Sequence, residues 1–212
     1  MKETIVAIIT GDIVDSTEIH FDSRENTFAQ FNVGFELIKK KFKIDYEWYR
    51  GDAFQLKTST TATSLRIALM IKFWIKSYER ETKKPHDVRL SLGIGTIEID
   101  KKELSLSDGE VFRISGRNLD SLKSSKQSLI IDANDSNSNA LKIESILLNA
   151  IIDNITPIQS KVLFYKLKGL KEEEIAKHLG LAQSTINQHS SSGNWNTLSK
   201  YLDYFEKIYT NE

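Results

Sequence analysis

The first regular pattern in the chain is a run without alternation: Ile5, Val6, Ala7, Ile8 and Ile9 are all apolar and mostly β-branched. Such a run predicts a strand covered on both faces. Polarity then arrives abruptly at Gly11 and Asp12. Next, Phe28, Phe31, Phe35, Ile38 and Phe42 recur every three or four residues, one stripe of a helix lying over the sheet. Tyr46 to Leu56 reads as two aromatic-rich strands around a Gly51-Asp52 turn, a hairpin. Ser64 to Arg80 is a second long helix with Leu65, Leu69, Ile71, Phe73, Trp74 and Ile75, greasier than one sheet face requires. Deep burial inside one subunit and a dimer interface both account for such a surplus. After Pro85, Val88 to Ile99 alternates as another strand, in which Gly93 and Gly95 imply close backbone packing. Strand, helix, hairpin, helix and strand in that order describe a βαββαβ unit. Its class is α+β and ferredoxin-like, an antiparallel sheet with two helices on one face.

The pattern then changes. A helix over Asp108–Lys123 and a short strand over Ser128–Asp132 lead into Ala133–Asn139, a run rich in Asn, Asp and Ser. This is the clearest break in the chain. Residues 1–134 form one expected domain, 135–154 a connector with a helix over Leu141–Ile152, and 155–212 a second, all-α domain. Thr156-Pro157 starts a helix that carries Val162, Leu163 and Leu167 and stops at Gly169. Lys171–Leu179 follows, then Gly180 to Ile186, and a final amphipathic helix with Trp195, Leu198, Leu202, Phe205 and Ile208.

Composition narrows the partners. At 212 residues and 40% hydrophobic content the chain can bury a real core. Its formal net charge is zero, so no global field draws it to nucleic acid or to a membrane surface, and any such binding must be local. The absence of cysteine removes disulfides, thiolate zinc sites and cysteine nucleophiles. The four histidines, His20, His86, His178 and His189, are scattered without ligand spacing. Neither a cleavable leader nor an apolar run of membrane-spanning length is visible, and the expectation is a soluble, cytoplasmic protein without a membrane partner. The lysine run Lys39–Lys41 reads as a solvated helix face.

Candidate chemistry sits where the first strand ends. A carboxylate there, Asp12, beside a glycine that admits a ligand, is a common way to hold a divalent metal over a sheet; capping of the next turn by Asp12 or Asp15 is the plainer alternative. If the hairpin lies beside the first strand, Asp52 at its tip reaches the same place. Two carboxylates with a strand-end carbonyl such as that of Ile13 suit one or two Mg²⁺ ions, or Mn²⁺, holding a triphosphate.

These segments resemble the catalytic core of the class III nucleotide cyclases, in which an Asp-Ile-x-x-Ser/Thr element ends the first strand and a Gly-Asp hairpin supplies the second metal ligand. With Ser107 to Asp120 included, the arrangement looks like the SatD-type bacterial proteins. The resemblance implies a nucleotide ligand and head-to-tail pairing into a homodimer. It also marks departures. The base-selecting lysine expected four residues before Asp52 is replaced by Trp48, which is able to stack on a base or to pack in the sheet. For the asparagine and arginine that steer the triphosphate, Arg113, Arg117 and Asn118 compete, and Asp108 either contacts the base or caps the helix.

The segment Ile175-Ala176-x-x-Leu179-Gly180-Leu181, with Ile186 five residues on, resembles the helix-turn-helix of sigma-factor region 4. Ala176 lets two helices cross closely and Gly180 permits the turn. The recognition helix would present Gln183, Ser184, Thr185, Asn187 and Gln188 to duplex DNA. From Ala150 onward, seven lysines (Lys161, Lys166, Lys168, Lys171, Lys177, Lys200, Lys207) face seven acids (Asp153, Glu172, Glu173, Glu174, Asp203, Glu206, Glu212). A neutral module of this kind binds DNA weakly as a monomer. Ala182 stands where a capping Ser or Thr is usual. The resulting expectation is a transcriptional regulator with a metal-nucleotide-sensing domain. An active cyclase, or another phosphoryl-transfer enzyme with a regulatory helix-turn-helix, is the alternative, and a purely structural interaction protein the third.

Overall fold

The computed structural model describes residues 4–49, 51–82 and 84–210. Arg50, inside the expected hairpin turn, lies outside the described residues. The elements are β1 (Thr4–Ile13), α1 (Phe21–Lys41), β2 (Ile44–Tyr49), β3 (Ala53–Thr58), α2 (Ser64–Lys76), β4 (Val88–Ile97), α3 (Glu110–Leu122), β5 (Leu129–Ala133), α4 (Ser138–Ile152), α5 (Pro157–Leu167), α6 (Glu172–Leu179), α7 (Gln183–Ser192) and α8 (Trp195–Thr210). The sheet order is β2-β3-β1-β4-β5, antiparallel throughout except that β5 runs parallel to β4. The mixed α/β architecture with its βαββαβ start agrees with the expected class. Among the described residues no helix is long and apolar enough to cross a membrane.

β1 is the central strand, and its unalternating run follows from cover on both faces. Ala7, Ile9 and Ile13 join the core shared with α1 and α2, whose stripe Phe31, Phe35 and Ile38 is buried. On the other face Thr10 meets Ser115 of α3. By strand alternation Asp12 shares that second face.

α2 explains its own surplus of apolar residues. It is buried along nearly its whole length, with the sheet on one side, α1 on another and α5 beyond. Trp74 packs against Phe164 of α5 at 4.7 Å between ring centres and donates its indole N–H to the Gln30 carbonyl at 2.8 Å. Gly34 makes room: a Cβ there would stand 2.2 Å from the Trp74 ring. The dimer-interface account of this helix therefore loses its basis, because its apolar surface is used inside one chain. The helix also ends earlier than its periodicity predicts. Ser77 turns back on Trp74, its hydroxyl donating to that carbonyl at 2.7 Å, and Arg80 instead bonds the Lys84 carbonyl at 2.7 Å across a short loop.

Two buried lysines on α2 are satisfied by backbone carbonyls and, for Lys72, a carboxylate. Lys72 Nζ lies 2.6 Å from Asp87 and 2.9 Å from the Val88 carbonyl. Lys76 Nζ takes the carbonyls of Ile152 and Asp153, both at 2.8 Å, and so completes the C-terminus of α4. α4 lies along β5 and satisfies that edge with side chains: Asn149 accepts from the amides of Ser128 and Leu129, and Ser145 from Ile131 at 2.8 Å.

The hydrophobic core runs on through Val162, Leu163, Phe164, Ile175, Ile186, Leu198, Leu202 and Phe205. Thr156 and Gln159 cap α5 reciprocally. α6 and α7 are joined by a short turn in which Gly180 adopts φ +66° and the Leu181 amide donates to Ala176 at 3.0 Å. Ala182 starts α7 without a side-chain cap, and Gly193 ends it.

Candidate metal and nucleotide site

At the end of β1 the register sets Asp12 opposite Ala53 of β3 on one side and Arg89 of β4 on the other. The amide of Ile13 donates to the carbonyl of Asp52 at 3.0 Å, which fixes the hairpin tip against the strand end. Asp12 and Asp52 are thereby neighbours. Ile13 itself turns a buried side chain toward α1 and α2.

The two carboxylates sit in different surroundings. Asp12 Oδ2 meets Arg89 at 3.4 Å, while Oδ1 is buried and has no hydrogen-bond partner. Burial holds the Asp12 carboxyl above its ordinary range; Arg89 and Lys123 oppose the shift, and the nearby Asp52 adds to it. Asp52 accepts a hydrogen bond from the hydroxyl of Ser16. Arg24 donates to the Ser16 carbonyl at 2.7 Å, and Arg80 holds the Val14 carbonyl at 2.7 Å and Glu18 at 2.8 Å. Asp15 has a left-handed backbone, φ +50°, and starts the short turn Ser16–Glu18 without a capping side-chain bond.

An orphaned buried carboxylate oxygen beside a second carboxylate fits the needs of a hard cation. Among the described residues no three His, Asp or Glu side chains cluster for a metal. Two carboxylates suffice for Mg²⁺ where phosphates and water complete the octahedron. Ser16 stands at the Ser/Thr position of the Asp-Ile-x-x-Ser/Thr element, while Arg24, Arg80 and Arg89 escaped the sequence reading, because each acts through strand register or loop geometry; alternation along β4 is the one signal that hints at Arg89.

The other candidates lie elsewhere. Asp108 is paired by backbone to Ile99, at the far end of β4. From Arg89 to Ile97 the strand spans about 26 Å. Asp108 accepts from its neighbour's amide, Gly109 N, at 2.7 Å rather than from the first turn of α3. Arg113 is ringed by acids: Asp108 at 3.3 Å, Glu110 at 3.0 Å, and Glu98. Arg117 pairs with Glu110 at 2.9 Å, and Asn118 donates to Asp132 on β5 at 3.0 Å. One chain does not bring these four groups to the Asp12–Asp52 pair.

Trp48 faces α1, within an aromatic cluster of Phe28, Phe35 and Phe54 at 5.0 to 5.7 Å between ring centres. It also lines an open groove beside the hairpin. On α7, Gln183, Ser184, Asn187 and Gln188 are exposed, and Thr185 is half-buried. Asn187 lies 3.4 Å from Glu172, so the acidic first turn of α6 stands beside this surface.

No protein-family model and no curated protein matches the sequence. Among solved structures, the fold is similar to the dimeric guanylyl cyclase domain of the RhoGC fusion protein from the aquatic fungus Blastocladiella emersonii. Identity is 19% and the TM-score 0.51, over 68% of this chain and 86% of that one. It is similar to the catalytic core of a rhodopsin-guanylyl cyclase with converted specificity in complex with ATPαS, at 17% identity and a TM-score of 0.51, over 67% of this chain and 82% of that one. A monomeric form of the Blastocladiella domain gives 17% and 0.50, over 69% and 86%. The likeness is one of fold: the sheet and its helices are similar in arrangement to the palm of nucleotide cyclase domains.

Proposed function

We propose that this chain, built on a cyclase palm, binds a nucleotide through a divalent metal, Mg²⁺ or Mn²⁺, held by Asp12 and Asp52 with backbone help at Ile13. The observation that carries the reading is the buried, partnerless Oδ1 of Asp12 beside the second carboxylate. A bound cation would satisfy that oxygen and relieve the repulsion between the two groups. Its chemical contribution is to neutralise and orient phosphate oxygens. Arg89 balances the charge of Asp12, and Ser16, Arg24 and Arg80 keep the loop beside it in place.

The remoteness of Asp108, Arg113 and Arg117 accords with a site completed by a second copy, as the head-to-tail pairing implied by the resemblance would provide. The α6–α7 pair, with its exposed amides and hydroxyls, is read as a helix-turn-helix on duplex DNA, and the whole as a regulator in which nucleotide binding informs DNA binding. Continuity of the core from α2 into α5 supports such coupling. A second reading, an active cyclase, is favoured by the two carboxylates standing together on the palm. The packing of Trp48 among aromatic rings, where the resemblance expects a lysine, weighs toward a sensor.

Calorimetry of nucleoside triphosphate binding with and without Mg²⁺ or Mn²⁺, in the wild type, Asp12→Asn and Asp52→Asn, tests the proposal. Binding that needs metal and fails in both variants supports it; binding indifferent to metal and to both substitutions removes it. An assay for cyclic nucleotide and pyrophosphate on the same samples separates enzyme from sensor.

A further inference from the structure

α4 buries one stripe, Leu141, Ser145, Leu148 and Ile152, as it lies along β5. The opposite stripe is Ile143, Ile146, Leu147 and Ala150, at the spacing of a helix-packing face, and it stands in water. Ile143 is 59% exposed, Ile146 53% and Leu147 64%. No charged side chain interrupts this stripe, because Glu144 turns aside to accept from the Tyr201 hydroxyl of α8 at 2.8 Å. Between α4 and α8 the surface dips into a groove of about 190 Å³, walled by Leu147, Ile151, Leu198 and Tyr201. Tyr204 stands exposed beside it, one turn along α8. A continuous apolar surface of this kind is uncommon on a monomer. α2, the greasiest helix of the sequence, keeps its apolar side chains inside the chain, and α4 does not.

What covers the face follows from its own symmetry. Ridge and groove lie side by side on one patch, so a two-fold axis sets each ridge over the other copy's groove, as an isologous contact requires. With two α4 helices antiparallel about an axis between Ile146 and Leu147, Ile143 meets Ala150 of the partner subunit, a large side chain against a small one, and Ile146 meets Leu147 of the partner subunit. Charges match in the same register. Lys142, half exposed and 3.1 Å from its own Asp132, lies in the first turns of α4, and Asp153 stands exposed just past its C-terminus. Antiparallel pairing brings Lys142 opposite Asp153 of the partner subunit, at the end of the helix that favours a cation. Each copy offers one lysine and one aspartate, so the pair forms twice. The exposed side chains and the groove amount to about 500–600 Å² per copy, and pairing removes on the order of 1,000 Å² from water, near the lower end for a specific interface.

We propose that the outer face of α4 and the α4–α8 groove form an interface between two copies of this chain, with the two α4 helices packed antiparallel about a two-fold axis. Its centre is apolar and its ends carry the Lys142–Asp153 pairs, the distribution usual for a specific contact. α8 also packs against α7, so the pairing fixes the separation of the two α7 helices. Nothing in this contact depends on the carboxylate pair.

Sedimentation of the full chain across a concentration series reads the association. The wild type is expected to pass from monomer to dimer in the micromolar range, and Leu147→Glu to weaken that step by about tenfold or more, since it sets like charges near the axis. Ile146→Ser adds no charge and should weaken it less; circular dichroism of both variants shows that the fold is kept. The chain has no cysteine, so the register can be read directly by mild oxidation. Ile146→Cys is expected to join to its own kind, and Ile143→Cys to join only when mixed with Ala150→Cys. A monomer at every concentration gives the face to a different partner and overturns the pairing. A dimer that withstands both Leu147→Glu and Ile146→Ser, or that Ile146→Cys fails to join, places the contact elsewhere and overturns it too.

Discussion

Arg80 donates to the carbonyl of Val14 at 2.7 Å, tying the connection after α2 to the loop that follows the carboxylate strand. The same guanidinium reaches Glu18 at 2.8 Å and Asp15 at 3.6 Å, and its side chain is only 9% exposed. Planarity matters here, because a fork of donors holds a carbonyl and a carboxylate at once where an ammonium holds a point.

Arg80→Lys is accordingly expected to weaken metal-dependent nucleotide binding with a modest loss of stability. Arg80→Met should weaken it further and cost about 1–3 kcal/mol, since the Val14 carbonyl is left without its donor. Denaturant melts beside nucleotide calorimetry check both.

Trp74→Ala should destabilise the protein by about 3–5 kcal/mol. The indole fills the space above Gly34, packs on Phe164 and bonds the Gln30 carbonyl. Because α2 is shared between the sheet and α5, hydrogen exchange should speed up in α5 as well as in α1. Faster exchange in α1 alone would mean that the C-terminal helices are held by other contacts.

His86 gives a pH signature. Its ring is buried edge-on to Phe31 at 5.2 Å, and burial, followed by the charge of Arg80, pushes its pKa from 6.5 down to about 4. The folded state thus resists a proton that the unfolded state accepts. Stability from this group is complete above pH 6.5 and is lost as pH falls from 6.5 toward 4, by at most about 3 kcal/mol. His86→Asn should flatten the stability profile in that window, measured by urea melts at half-unit steps.

For the C-terminal module, Asn187→Ala or Gln188→Ala should cost about 1–3 kcal/mol on a preferred DNA site if the residue reads a base edge, and less on random duplex. Glu172, 3.4 Å from Asn187, repels phosphate, so binding should be weak and detectable at low salt. Gel shifts across a salt series decide it; no shift at any salt marks α7 as a protein-contact surface.

Much of the sheet and its helices was legible because the signals are local. The unalternating Ile5–Ile9 run, the Phe31, Phe35 and Ile38 stripe and the Gly51-Asp52 turn each encode their own element through periodicity or turn chemistry. What was not legible depends on contacts between distant positions. Gly34 gives no sign in sequence that it admits Trp74, nor Asn149 that it satisfies the backbone of β5. Arg89 gains its meaning only from the register that sets it beside Asp12, and the acids around Arg113, Glu98, Asp108 and Glu110, come together from a strand, a bridge and a helix that no local pattern links. The greasy face of α2 was ambiguous for the same reason: periodicity reports that a face is covered, not by what.

The most direct test of the metal site is titration of Mn²⁺ followed by electron paramagnetic resonance, with tripolyphosphate present to complete the coordination sphere. The wild-type chain is expected to bind one or two Mn²⁺ ions, with broadened signals that Mg²⁺ displaces. Asp12→Asn and Asp52→Asn should each lose that binding, and Asp12→Asn should raise the thermal stability of the metal-free protein, since it removes a buried carboxylate with a partnerless oxygen. Mn²⁺ binding of equal strength in the wild type and both variants would contradict the account.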